Sequence, residues 1–239
     1  MDPGVATDTI AAAGAAATGA CRSGPAAAVT CCPGWTVSRL VTHLGLVHAW
    51  AASTVVSGAS ERQPFPSAPA GLSGDALADW ADSQREALLE ALAGADPERS
   101  VWTFAGMAPA WFWWRRQCHE TTIHAWDATA AVGAPWVMPG DVADDGLDEF
   151  FDFLRAKWAA ADLSWGSGKT VHFHRTDGDG ERLLTIESPP VISHDHAKGD
   201  LAVRGSAADL LLWAMNRPAR VDLFGDTALA AAWREHVKI

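Results

Sequence analysis

Between Pro109 and Gly133 the chain contains no helix breaker, so the stretch Trp111 to Ala130 (WFWWRRQCHETTIHAWDATA) reads as one long helix. Within it Glu120 and His124 stand four residues apart. At about 100° per residue, positions i and i+4 project from one face, one turn apart. Helical steps from Glu120 give Trp113, Gln117, His124, Asp127 and Ala131 on one stripe. A stripe mixing aromatic, carboxylate and imidazole groups suits neither a plain core nor a plain surface. Two readings stay open: a solvated polar pair, or two ligands of a metal ion whose third ligand comes from elsewhere. Asp127 either faces solvent or hydrogen-bonds the His124 ring and orients it.

The remaining helices set the frame for that stretch. Val5 to Ala20 is alanine-rich and predicts a first helix, frayed at its start; Gly24, Pro25 and Pro33 then mark a loop. Thr36 or Ser38 can cap a second helix, on which Leu40, His43, Leu44, Val47 and Ala51 recur at helical spacing. His43 therefore sits on or beside an apolar face. A Pro/Gly/Ser-rich loop from Gly58 to Gly74 leads to a third helix, Asp75 to Ala93. The helix bearing Glu120 and His124 is predicted over Ala108 to Ala131, with Pro109 in its first turn, where a missing N–H does no harm. A fifth helix covers Asp141 to Ala161. After Ser164 the texture changes. Lys169 to Arg175 and Arg182 to Glu187 read as strands about a Thr176–Gly180 turn, followed by a strand at Leu201–Arg204, a helix at Ala207–Met215, a strand at Val221–Phe224 and a helix at Thr227–Glu235. The expectation is an α+β protein: a helical bundle over residues 1–163, then a small α+β domain over 164–239.

Composition narrows the function classes. A chain of 239 residues, 49% hydrophobic, can bury a sizeable core. A net charge of −11 argues against nucleic-acid or anionic-membrane partners. Thirteen Trp with no Tyr favour helix packing and the walls of a binding site. Cys21, Cys31, Cys32 and Cys118 form no disulfide framework, which implies a reducing cytoplasm. The start lacks a basic segment and a strongly apolar middle, so no secretory signal is expected, and no apolar run reads as membrane-spanning.

Catalytic zinc sites keep three protein ligands and an open position. His43, Glu120 and His124 supply three groups that zinc accepts. Other candidates fit less well. His48 lies five residues after His43 and His119 five before His124, each well round its helix from that face. Cys118 points away from the Glu120 face and reads as a buried thiol. His172/His174 and His194/His196 are two H-x-H pairs able to form a second metal site, or ordinary polar residues near strand ends; the second explanation is preferred. Arg116, one turn before Glu120, can pair with it. Among arginines able to fork onto a substrate carboxylate, Arg217 is the best candidate, and Trp113 the best candidate for an aromatic wall.

The motifs Cys32-Pro33-Gly34-Trp35-Thr36-Val37, Leu40-Val41, His43-Leu44 and His119-Glu120-Thr121-Thr122-Ile123-His124-Ala125-Trp126-Asp127 resemble the mycothiol-dependent maleylpyruvate isomerase family, within the DinB-like helical-bundle superfamily. The tail from Asp200 to Trp233 is similar to that family's α+β C-terminal domain. The resemblance implies a DinB-like up-and-down bundle and metal ligands at His43, Glu120 and His124. It also implies a divalent ion, usually zinc, and mycothiol as thiol cosubstrate. It leaves the substrate open. The leading expectation is an enzyme that adds the thiolate of a low-molecular-weight thiol to an electrophile, as an S-transferase does. Maleylpyruvate cis–trans isomerisation is the second, and a non-catalytic metal- or thiol-binding module the third.

Overall fold

Asp2 caps the first helix, and the cap explains why that helix starts earlier and tighter than its alanine run alone predicts. In the computed structural model, which describes residues 1–238, the Asp2 carboxylate accepts from the backbone N–H groups of Gly4 and Val5 ahead of α1, Pro3–Ser23. Thr36 caps α2, Val37–Ser57, by accepting from Arg39 N–H at 3.3 Å. Then come α3, Gly74–Ala93, and α4, Trp111–Ala131. α3 and α4 each pack against both α1 and α2, whereas α1 and α2 touch only lightly. Small residues let the axes approach: Ala13 and Ala17 of α1 share one buried cluster with Ala125 and Ala128 of α4. Gly45 does the same for α2, because a Cβ there would collide with the Trp80 ring of α3.

One expectation is corrected in this unit, and a second needs a physical gloss. Pro109 is not in the first turn of α4; it ends a strand. β1, Ser100–Thr103, and β2, Gly106–Pro109, form an antiparallel hairpin before the helix. Gly106 takes the turn with φ +99°, a conformation that favours glycine. Second, α2 is long and apolar enough to cross a membrane by length and composition, although 56% of that window is buried inside the protein. Its apolar face is spent on the bundle core, where Leu40, Val41 and Leu44 lie.

The chain divides into compact units at Val137/Met138, earlier than the change of texture near Ser164 suggests. The reason is α5, Gly140–Trp158. Its buried stripe of Phe150, Phe151, Leu154 and Trp158 belongs to the core of the second unit. There Phe151 meets Phe173 at 5.2 Å and Phe150 meets Trp233 at 6.5 Å between ring centroids. The second unit continues with β3 (Thr170–Arg175), β4 (Glu181–Thr185), β5 (Val191–Ser193), β6 (Leu201–Gly205), α6 (Ala207–Ala214), β7 (Asp222–Gly225) and α7 (Thr227–His236). Its sheet runs β5-β4-β3-β6-β7, with β3 and β6 parallel and the other pairs antiparallel. The molecule is thus α+β, helical first and sheet-containing second.

Candidate metal centre

α4 is buried on most of its circumference, which accounts for its mixed stripe: Gln117, Thr121, Thr122 and Asp127 are all inside. Polar groups in such a place need partners. α2 brings His43 to the same spot from a distant part of the sequence. His43 Nε2 lies 2.8 Å from Glu120 Oε1, and His124 Nε2 lies 3.4 Å from that same oxygen. The two imidazole rings are 5.3 Å apart, edge to face. The i,i+4 pair on α4 is therefore no solvated surface pair; it is two-thirds of a converging set.

Each member is held from behind. Asp127, buried, meets His124 Nδ1 at 3.0 Å. An N–H at Nδ1 donating to that carboxylate would leave Nε2 to act as the ligand nitrogen once a cation replaces the proton shared with Glu120. Arg116 ion-pairs with the other Glu120 oxygen. Burial alone would push the Glu120 carboxyl up, but Arg116, His124 and His43 together hold it well below the usual carboxylate range. Burial would likewise push His124 down, yet Glu120 and Asp127 raise it to about 9. An environment that stabilises a proton between imidazole and carboxylate also suits a dication. Two imidazole nitrogens and one carboxylate oxygen within 4.8 Å of one another are a donor set of the kind zinc takes. A second combination, Cys32, His124 and Asp127, also falls within that distance. It would use the His124 nitrogen that Asp127 already engages, so the first set fits better.

The centre is reached from the His43 side, where 30% of the side-chain surface is exposed, against 14% for Glu120 and 13% for His124. Trp35 walls it. Its ring stands edge-on to His43 at 5.2 Å and nearly parallel to His124 at 6.4 Å. The Arg39 guanidinium lies over the Trp35 ring, 5.1 Å from its centroid. Neither residue stands out by helical stepping from Glu120, because Arg39 lies on α2 and Trp35 just before its Thr36 cap. The available signal was that Arg39 precedes His43 by one helical turn.

Other predicted residues make other contacts. Trp113 is fully buried among Trp50, Trp102, Phe104 and Phe112, and its Nε1–H donates to the Trp102 carbonyl at 3.0 Å. It packs the bundle against the β1–β2 hairpin and presents no face to a substrate; the aromatic wall at the centre is Trp35. Arg217, in the second unit, is buried and donates to the Met215 carbonyl at 3.1 Å. His48 is a core residue: Nε2 lies 2.9 Å from Thr121 Oγ1, and burial lowers its pKa to about 3. His119 and Cys118 are buried on other sides of α4.

Comparison with known proteins gives a family and a fold. Residues 6–129 match the family model of the mycothiol maleylpyruvate isomerase N-terminal domain, and residues 141–232 match the model of the corresponding C-terminal domain. Two solved structures share the fold. One is the mycothiol-dependent maleylpyruvate isomerase and the other a mutant of it. Each is 18% identical, with a TM-score of 0.63 over 95% of this chain and 94% of theirs. No functionally curated protein matches the sequence.

Proposed function

Since the chain belongs to the mycothiol maleylpyruvate isomerase family, a family of enzymes, we propose that it is a metal-dependent enzyme that adds the thiolate of a low-molecular-weight thiol, mycothiol, to an electrophilic substrate. The observation that carries this reading is the convergence of His43, Glu120 and His124, with Asp127 held against His124 Nδ1 from behind. These three side chains would hold a divalent ion, most suitably zinc. Such an ion supplies a thiolate near neutral pH, because the cation stabilises the anionic form of a thiol. Arg116 holds the second Glu120 oxygen and keeps the carboxylate ionised. Trp35 shields one side of the centre from water, and Arg39, with no ion pair among the described residues, offers a cation beside it. A thiol co-substrate is in keeping with a reducing, cytoplasmic setting.

In the addition, sulfur bonds to one carbon of a conjugated double bond, and the displaced electron pair moves onto the adjoining carbonyl. Protonation then gives a stable thioether, the S-transferase outcome. The second reading is cis–trans isomerisation: the former double bond rotates, the thiolate is expelled, and the trans isomer forms with no thiol consumed. The family match favours this second reading. Purified protein incubated with mycothiol and maleylpyruvate, and separately with a panel of electrophiles, separates the readings. A thioether product identifies transfer; trans product with the thiol unchanged identifies isomerisation. Thiol and metal binding without any turnover would leave only a binding module. Chelation should abolish turnover and added zinc restore it; turnover indifferent to both, or to His43→Ala, would overturn the metal-dependent reading.

A further inference from the structure

The second unit assembles its own histidine cluster, away from the aromatic core of its sheet. β3 alternates: Val171 and Phe173 enter the core, where Phe173 packs on Trp213 and Trp233. His172 and His174 therefore share the opposite face. The β3–β4 register sets His174 directly across from Glu181, with His172 on the diagonal. After β5 the chain returns over the same region, and Gly199 lies tight on β3. A Cβ at Gly199 would stand 2.9 Å from His172 N and 3.1 Å from its Cβ. That segment delivers His196.

The result is one carboxylate ringed by three imidazoles. His172 Nε2 is 3.2 Å and His196 Nδ1 is 2.6 Å from Glu181 Oε2, and His174 Nδ1 is 2.9 Å from Oε1. Ring centroids are 5.8, 5.8 and 6.3 Å apart. Three of the four histidines in the two H-x-H pairs thus meet at one carboxylate. Each of the three imidazoles presents a ring nitrogen to the Glu181 carboxylate, and three imidazole nitrogens with one carboxylate oxygen are a donor set that a divalent cation can share. The four ligand atoms fall within 4.8 Å of one another, whereas tetrahedral bonds of about 2.0–2.2 Å separate donors by roughly 3.4 Å. Small side-chain rotations close that difference.

We propose that His172, His174, Glu181 and His196 form a second metal centre, distinct in residues from the one in the bundle, for a borderline divalent transition ion such as zinc, nickel or copper(II). Three nitrogens and one oxygen select these ions over calcium and magnesium, which take oxygen ligands. His172 is buried at its base and the His196 side chain is 80% exposed at its mouth. The ion fastens the β5–β6 connection onto the sheet.

The test uses the full chain carrying His43→Ala and His124→Ala, which disables the bundle centre and makes the result independent of the function proposed above. Titration of the metal-free protein with cobalt(II), followed by visible d–d absorption, and with zinc, followed by calorimetry, should show one ion per chain. Adding His196→Ala should weaken binding by about 10-fold or more, and adding His174→Ala as well should abolish it. Zinc should also slow backbone hydrogen exchange over residues 194–199, and this protection should vanish with His196→Ala. An absence of binding in the background protein would overturn the proposal, as would undiminished affinity after His196→Ala. The exposed His196 substitution decides the matter even if His174→Ala disturbs the strand.

Discussion

The two histidine clusters are built on opposite plans. In the bundle, the converging side chains include His43 and Glu120, 77 positions apart, and two of them are buttressed: Glu120 by Arg116, His124 by Asp127. In the sheet, His172 and Glu181 are nine positions apart, and the strand register alone sets three of the four side chains. The first plan costs chain entropy and buried charge, and it yields groups that are oriented before a ligand arrives. The second comes with the hairpin. Preorganisation of this kind is what chemistry on a bound substrate requires, so turnover is expected to depend on the bundle centre.

The sharpest way to break that contrast is Glu120→Gln, which keeps shape and removes the charge at the meeting point of His43 and His124. Thiol-dependent turnover should fall to background, beyond the roughly 10–100-fold that loss of a mere outer partner causes. If turnover survives in Glu120→Gln but falls in Glu181→Gln, the assignment of the two clusters is reversed.

Next in size is a stability effect confined to the second unit. Its buried cation, Arg182, does structural work that the bundle assigns to site residues. Nε donates to Asp148 at 2.6 Å and Nη1 to Asp144 at 2.7 Å, while Nη2 reaches both carboxylates at 2.9 Å. Burial opposes the charge, but the two aspartates outweigh it and raise the guanidinium pKa. Arg182→Met should destabilise the protein by about 3 kcal/mol, the low end for breaking a buried pair, because Asp144 and Asp148 keep 22% and 37% of their side-chain surface in water. Denaturant unfolding measures it. Turnover per folded molecule should be unchanged, and a loss of turnover matching Glu120→Gln would erase the functional division between the units.

Asp127→Asn probes the buttress itself. Metal affinity or turnover should drop about 10–100-fold, with more effect on turnover than on stability because the amide fills the same space. An unchanged affinity would mean that α4 alone orients His124, and the bundle would then resemble the sheet in relying on backbone geometry.

These residues also mark how far the chain is readable without coordinates. Glu120, His124 and Asp127 stand out because helical periodicity maps spacing directly onto one face, and His43 because its helix is periodic too. Trp113 and Trp35 show where periodicity stops. Spacing places Trp113 on the stripe of Glu120, but a helix buried on most sides turns part of that stripe into core. Trp35 precedes the cap of α2, so no period relates it to the centre. The β1–β2 hairpin and the three-residue β5 were missed because strands this short carry too few alternations to register. The early unit boundary was hidden for another reason: α5 is amphipathic whichever unit it serves, and only its contacts with Phe173 and Trp233 assign it. His196 joined the sheet cluster through a loop, where spacing predicts nothing.

The effect that is smallest at neutral pH, where it vanishes, separates two buried histidines, one in each unit. His172 is buried beside Glu181, whereas His48 is buried beside the neutral Thr121 hydroxyl, and its Nδ1 has no partner. Burial, with Arg85 and His43 adding to it and Glu120 opposing, lowers His48 from 6.5 to about 3. Between these values the unfolded chain binds a proton there and the folded chain does not, so stability is full above pH 6.5 and declines as the pH falls toward 3. The slope from this one group approaches about 1.4 kcal/mol per pH unit. Denaturant unfolding at neutral and mildly acidic pH, for the wild type and for His48→Gln, isolates it. The acid-induced loss should be smaller in the variant by roughly 1 kcal/mol per pH unit, even if the variant is weaker at neutral pH. Equal losses in the two proteins would mean that the acid sensitivity of the bundle resides in its ionised groups rather than in a histidine kept neutral by its core.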